Sequence, residues 1–436
     1  MTDLSPLDEP PDAPFDELRR RERAWSSSRR ASDLWPGLDA TLLQSAADVI
    51  GACVAVVLRG ERASIDLSHL EGDAERRTRA LGVAGLLTGV GPLLGAWVER
   101  GLVGADERAG RVLARHLAHG RARIARMRSG VMPLLARLER DGFAPGVIKG
   151  FHTAHAYFPE PGVRPMTDVD VVVAPGALPR VEPILRELGF TPGERVLRGH
   201  AHQWLPPRAD GGAWSHELWH ARSQWHVEPH DGLNFAAVVA NTDVPQTARL
   251  GDWLTIGGTT LRVADPAELV ATLATHGSTE LYSSRLLRLV ELVLVIRTAR
   301  ARGTLDWSGV EEHLARRDTL RFAFPSLTLV ERLAPGTVDE RLLSRVRDTT
   351  SPRIRAVTAH FTPTAPILDQ PFSLGERLLW TSGIRGTLRR LWLMLVPLEG
   401  APAGTRLRTY GHRAARLLAM TARVLRGRAR SSNGGS

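Results

Sequence analysis

Cysteine occurs once, as Cys53. A lone cysteine excludes any disulfide within the chain and argues against a secreted, disulfide-framed scaffold. The expected compartment is a reducing one, the cytoplasm. Cys53 lies in the apolar run GACVAVV, where a buried, inert thiol is expected. Lysine is equally scarce: of 57 basic residues, only Lys149 is not arginine. Long hydrophobic runs are also lacking. The longest stretch without charge, Leu81 to Val98, is interrupted by five glycines and Pro92. Broken helices packed in a protein core are expected there rather than a bilayer span. The opening stretch MTDLSPLDEPPDAPFDEL has neither a basic n-region nor an apolar h-region, so it does not read as a signal peptide.

What is abundant is arginine, and it is unevenly placed. No acidic residue follows Glu399, whereas eight arginines do, from Arg406 to Arg430. They account for most of the net charge of +10, so the basicity describes a tail rather than a nucleic-acid-binding core. Arg413, Arg416, Arg423 and Arg426 interleave with Leu417, Leu418, Val424 and Leu425, the pattern of a basic amphipathic helix. Anionic membrane, RNA and plain solvent are the three destinations such a helix fits.

Periodicity divides the chain into five stretches. Residues 1–36, rich in charge runs and proline, are expected to be disordered. Residues 37–140 read as all-helical, with 106–140 one long amphipathic pattern whose Val112, Leu113, Leu117, Ile124 and Met127 share a face. The period changes after Gly142. A short buried strand at 146–148, a helix starting at Gly150, a strand at 168–173 and a helix at 178–188 follow in strand–helix–strand–helix order. A hairpin around RADGGAW (208–214), a strand near 224–228 and a hairpin over LTIGGTTLRV (254–263) complete a core spanning 141–265. Helices are expected at 266–276, 281–302 and 307–334 within a helical region of 266–400, with further helical patterns at 375–396 and 405–427. The basic tail covers 401–436. The fold class is therefore mixed α+β: an α/β core with a mixed sheet between helical N- and C-terminal regions.

Chemistry concentrates in VIKGFHTAHAYFPEPGVRPMTDVDVVV, residues 147–173. Asp168 and Asp170 are two apart on a strand, so both point to one face. Neighbouring carboxylates repel unless a cation lies between them. Mg2+, hard and oxygen-seeking, suits the pair, and Mn2+ can replace it. The valines that follow make a buried strand, which puts the carboxylates at its exposed end. Lys149-Gly150 ends the preceding strand. Glycine there lets backbone N–H groups approach a phosphate at a helix N-terminus, and the lysine adds a compact charge. Taken separately, these residues would be a surface lysine and an Asp-rich loop; their combination is what singles out the stretch.

The block K-G-x(6)-Y-x(6)-R-P-M-T-D-V-D-V-V-V, followed by LPRVEPILRELGF, resembles the uncharacterised nucleotidyltransferase family of the DNA polymerase beta-like superfamily. The matching residues are Lys149-Gly150, Tyr157, Arg164 to Asp170, Leu188 to Phe190 and Val227-Glu228-Pro229-His230, within roughly residues 105 to 320. His276 and Glu291 match weaker helical positions, the second more often Asp in the family. The resemblance implies a nucleotidyltransferase-like core. It also implies that Asp168 and Asp170 hold the metal, that Glu228 completes an acidic triad, and that an NTP donates its nucleoside monophosphate to an acceptor with loss of pyrophosphate. Lys149, Gly150 and Arg164 would then serve the nucleotide phosphates, and the acceptor would be a small molecule or peptide, as in natural-product modification. Better-known nucleotidyltransferases carry Gly-Ser where this chain has Lys149-Gly150-Phe151, so Lys149 is expected to take over the phosphate contact. Pro229 and Asp231 depart from the family's usual residues around the histidine, which leaves Glu217 as a reserve for the third acid.

Two other function classes compete. His216-Glu217-Leu218-Trp219-His220 reads H-E-x-x-H, a zinc-hydrolase signature when it lies on a helix. Its Trp-rich setting after Gly211-Gly212 argues for a hairpin instead, and Ser223 stands where a third-ligand turn needs glycine. A non-catalytic nucleotide-binding relative of the fold is the other. Of the remaining candidates, Arg164 has two readings, a triphosphate clamp or a pin holding its loop to an acid. His152 and His155 read as surface histidines, Tyr157 as packing under the loop, and Arg285 and Arg288 as a solvated helix face.

Overall fold

The computed structural model describes residues 31–35, 37–193, 203–207, 221, 224–230, 249–279 and 286–365, with 24, 367 and 388 singly. The hairpin expected at 208–214, the helical patterns at 375–396 (residue 388 apart) and 405–427, Arg285 and the whole basic tail lie outside these residues.

The N-terminal part is built on helices α1 (Ala40–Leu58), α2 (Ala74–Thr88), α3 (Gly91–Glu99) and α4 (Glu107–Arg140). Aspartates start three of them: Asp39, Asp73 and Asp106 each accept the backbone N–H three residues on, at 2.8 Å. The uncharged stretch 81–98 is not one continuous helix. Helices α2 and α3 meet at a bend of 115°, and residues 81–97 are buried. Gly89, left-handed at φ +78°, ends α2, and Pro92 sits in the first turn of α3. Helix α1 is long and apolar enough to cross a bilayer, and it contributes nine buried residues to the protein core. Cys53 is among them, and burial pushes its thiol up to about 12. The first 140 residues are not all-helical as expected: β1 (Ala63–Ser64) pairs in parallel with β2 (Val103–Gly104). Two residues per strand are too few to set up an alternating pattern.

Among the described residues, seven strands form one mixed sheet. They are β3 (Gly146–Val147), β4 (Asp168–Val172), β5 (Thr191–Pro192), β6 (Trp204–Leu205), β7 (His226–His230), β8 (Asp252–Ile256) and β9 (Thr259–Val263). Their order is β5-β6-β7-β4-β3-β9-β8, which puts β4 in the middle. β7 runs parallel to β4, β3 antiparallel to it, and β9 parallel to β3. β8 and β9 form the expected hairpin, turned by Gly257 and Gly258 at φ +57° and +85°, values that two glycines adopt without strain. Helices α5 (Lys149–Ala156) and α6 (Leu178–Glu187) flank the sheet.

The chain then returns to helix: α7 (Pro266–Thr279), α8 (Leu286–Ala301), α9 (Trp307–Arg316), α10 (Leu320–Leu333), α11 (Glu340–Thr349) and α12 (Pro352–Ala359). The single helix expected at 307–334 is two. Asp318 is left-handed at φ +53°, a conformation Asp tolerates better than most residues, and it breaks the run between α9 and α10.

Two cores result. One joins α1–α3 and the first half of α4 to α7, α8 and α10, through Leu43, Leu93, Leu113, Val290 and Leu327. The other packs the second half of α4, through Met127, Val131 and Leu135, on the sheet. Helix α4 therefore spans both, its 34 residues covering about 50 Å at 1.5 Å per residue. Its apolar stripe holds Val112, Leu113, Leu117 and Met127 buried as expected, with Ile124 partly so.

Candidate active site

The carboxylate pair opens β4 at its amino end, ahead of the buried valines. That end is less exposed than expected: Asp168 is half-buried, and Asp170 keeps only 3% of its surface. The parallel register sets Asp168 opposite His226, Asp170 opposite Glu228 and Val172 opposite His230. Side chains alternate along a strand, so Asp168, Asp170, His226, Glu228 and His230 share one face of the β4–β7 pair. Their ligand atoms form two overlapping groups, Asp168–His226–Glu228 and Asp170–Glu228–His230, with atoms within 4.8 Å of one another in each.

Hydrogen bonds order the cluster. His230 Nε2 lies 2.8 Å from Asp170 Oδ1, and Lys149 Nζ donates to the same oxygen at 3.3 Å. His226 Nε2 and Gln203 Nε2 both lie 2.9 Å from Glu228 Oε1. The three acids respond differently. Burial pushes the Asp168 carboxyl up, and the Asp170 and Glu228 charges add to the rise. Burial would raise Asp170 as well, but Lys149 and the bond from His230 outweigh it and hold Asp170 well below the usual carboxylate range. Glu228 is likewise lowered, its burial outweighed chiefly by His226 and helped by Gln203. Asp168 therefore takes up a proton more easily than a free carboxyl, whereas Asp170 and Glu228 hold their charge to lower pH. That is the behaviour of a cluster whose acids repel one another and are relieved by cations. Hard divalent cations fit these oxygens.

Lys149 carries a local cost. Its φ is +48°, a left-handed value few non-glycine residues adopt. Strain of this kind persists only where the surroundings impose it, and it collects at functional turns. Here it aims the only lysine of the chain at Asp170 as the backbone passes from β3 into α5.

Arg164 makes the contact of its second reading, a pin to an acid. Its Nε and Nη2 donate to the two oxygens of Glu291 on α8, at 2.8 and 2.9 Å, and its Nη1 donates to the Pro165 carbonyl at 3.2 Å. Glu291 is buried and also accepts the Thr153 hydroxyl of α5. The guanidinium lies across Gly150: a Cβ built there would sit 2.5 Å from Arg164 Nη1. Gly150 thus leaves room for the arginine that crosses it, whatever else approaches it.

Three further side chains differ from expectation or escaped it. His152 is not a surface histidine. It is buried, and burial pulls its pKa down to about 4. Arg288 is half-buried, with Nη1 3.1 Å from His276 Nδ1, rather than on a solvated face. Arg123, buried on α4, donates Nε to the Met166 carbonyl at 2.9 Å and Nη2 to the Gln224 carbonyl at 3.0 Å. It ties the loop before β4 to the loop before β7, next to the strand pairing that unites the acids. Nothing in the sequence separates it from the other arginines of α4, apart from its place on the apolar stripe. Tyr157 is partly buried, packed edge-on to His152 and under Arg302, in keeping with a packing role. The H-E-x-x-H residues His216, Glu217 and His220 lie outside the described residues, as does the reserve role of Glu217.

Residues 90–335, more than half of the chain, match the family described as uncharacterised nucleotidyltransferase. No curated protein matches the sequence. Among solved structures, that of the antibiotic-resistance factor ANT(2'')-Ia aligns with 54% of this chain and 97% of its own at 14% identity. The TM-score of 0.24 is too low for that superposition to carry an argument. The matched span includes every residue of the cluster, and the chain belongs to the uncharacterised nucleotidyltransferase family.

Proposed function

We propose that this chain moves a nucleoside monophosphate from an NTP to a small-molecule or peptide acceptor, with release of pyrophosphate. The observation that carries the reading is the β4–β7 register, which gathers Asp168, Asp170 and Glu228 on one face in a member of this family. Those three carboxylates would hold a divalent cation, Mg2+ or Mn2+. Bound there, the cation would neutralise charge on the phosphate oxygens.

The chain's own residues supply the rest. Lys149, held at the edge of the cluster by its contact with Asp170, presents an ammonium to the phosphates. Gly150 and the start of α5 offer backbone N–H groups beside it. Arg164 serves by holding its loop to Glu291 rather than by reaching the triphosphate. In the reaction, a hydroxyl or amine of the acceptor attacks the α-phosphorus. The bond from α-phosphorus to the bridging oxygen breaks, and the acceptor's proton passes to a basic group of the site.

The test is incubation of the full chain with each of the four NTPs, labelled at the α-phosphate, and a panel of hydroxyl- and amine-bearing acceptors with Mg2+ or Mn2+. Label should move to an acceptor with matching pyrophosphate. Asp168→Asn and Asp170→Asn should each lower the rate by at least about 10²-fold, the cost of losing one electrostatic stabiliser of a transition state. Normal turnover in those variants would sink the assignment. Binding of NTP without pyrophosphate from any acceptor would favour a non-catalytic relative.

A further inference from the structure

Imidazoles make up two of the five metal-capable side chains on the β4–β7 face. A site built for Mg2+ alone needs oxygens and water, and gains nothing from nitrogen. Imidazole donors suit first-row transition ions, and mixed nitrogen–oxygen sets discriminate among cations by ligand type. The two groups of ligand atoms are alike in make-up. Asp168–His226–Glu228 and Asp170–Glu228–His230 each combine two carboxylates with one imidazole, and Glu228 belongs to both.

The hydrogen bonds support coordination by these rings. His226 meets Glu228, and His230 meets Asp170, through Nε2 in both cases, at 2.9 and 2.8 Å. Each bond already aligns an imidazole nitrogen with the carboxylate oxygen that would share the ion with it. His226 is buried and His230 nearly so, so neither ring is a solvated surface group.

We infer that this face is a pair of adjacent metal sites, with Glu228 common to both and one histidine in each, and that it selects a first-row transition ion such as Mn2+ over Mg2+. The inference rests on the same carboxylates as the proposed reaction, but not on the reaction itself.

The test uses the full chain with Mn2+ alone and then with Mg2+ as competitor, read by pulsed electron paramagnetic resonance for nitrogen coupling to the bound Mn2+. Imidazole nitrogen coupling should be present in the unaltered protein and survive excess Mg2+. His226→Gln and His230→Gln should each remove part of it, and the double variant all of it. Each single change should weaken Mn2+ binding about tenfold or more, an effect that even outer partners of metal ligands produce, with less effect on Mg2+. Bound Mn2+ with no nitrogen coupling in the unaltered protein would overturn the inference without need of any variant. So would coupling lost in His230→Gln but untouched in His226→Gln, which leaves one histidine site instead of two. Nitrogen coupling in a protein that never releases pyrophosphate would uphold the metal assignment while the transfer reaction fell.

Discussion

Glu268 and Glu291 are both buried acids on adjacent helices, each gripped by an arginine, and they hold different things. Glu268 on α7 is fully buried. It meets Arg317 and the Thr272 hydroxyl, and His313 Nδ1 lies 2.9 Å from its second oxygen. All of these partners belong to the helical region after the sheet. Glu291 on α8 instead takes its partners from the core, Thr153 and Arg164, which lie 138 and 127 residues earlier in the chain. The same physics, a desolvated carboxylate compensated by a guanidinium and a hydroxyl, fastens helix to helix in one case. In the other it fastens the helical layer to the two segments that carry Lys149 and Asp168.

Removing either acid takes the carboxylate partner from an arginine that is about nine-tenths buried, which costs about 3–5 kcal/mol. Glu268→Ala and Glu291→Ala should therefore lower the unfolding free energy by similar amounts in denaturant titrations. Their effects on nucleotide should differ. At a temperature where both variants remain folded, Glu291→Ala should weaken binding of a fluorescent NTP analogue, because Arg164 and the turn at Gly150 lose their anchor. Glu268→Ala should leave that binding unchanged. Equal losses in the two variants would erase the distinction.

The sequence showed one half of this comparison better than the other. Asp168, Asp170 and Lys149-Gly150 stood out because strand alternation, a lone lysine and a glycine at a strand end are local signals. The tie from Arg164 to Glu291 was legible only as two readings of the arginine and a weak family position for the acid. Contacts across more than a hundred residues leave no periodicity. Arg123 was illegible for the same reason, since its partners are backbone carbonyls of two loops. His152 was misread because its one-turn spacing from His155 on α5 says nothing about which side is covered. Asp318 broke a helix that its apolar pattern continued, and strands of two residues, as in β1 and β2, fall below the length at which alternation can be seen.

The histidines extend the comparison to acid pH. His152 in the core and His116 in the helical layer are both buried, and burial lowers each to about 4. The partners do not reverse it: His116 Nε2 bonds the Gly82 carbonyl at 3.0 Å, and Asp252 and Glu291 pull His152 only partly back. Unfolded, both would take up a proton near pH 6.5. The unfolded state therefore binds more protons between about pH 6.5 and 4, and stability falls as the pH drops through that window. Each ring should contribute a loss of roughly 3 kcal/mol across it. His116→Phe and His152→Phe should each flatten the pH dependence of unfolding. Only the second should also alter nucleotide binding, because α5 begins with Lys149. A pH dependence unchanged by both substitutions would show that these rings are not what titrates.

A methyl group provides the finest test. Gly150→Ala would bring Cβ to 2.5 Å from Arg164 Nη1, the mobile end of a flexible side chain. Such an end normally moves aside at little cost. Here Glu291 holds it by both oxygens, so the methyl must strain the clamp, at about 1–3 kcal/mol as for other overpacked sites. The cost should depend on the clamp. In a Glu291→Ala background Arg164 can swing away, and Gly150→Ala should then add almost nothing, a coupling on the order of 0.5–3 kcal/mol in a double-mutant cycle. With Glu268→Ala, which shares no partner with Gly150, the two changes should add. Additivity in both cycles would mean that Arg164 yields freely even when paired, and that Glu291 anchors a helix as Glu268 does and nothing more.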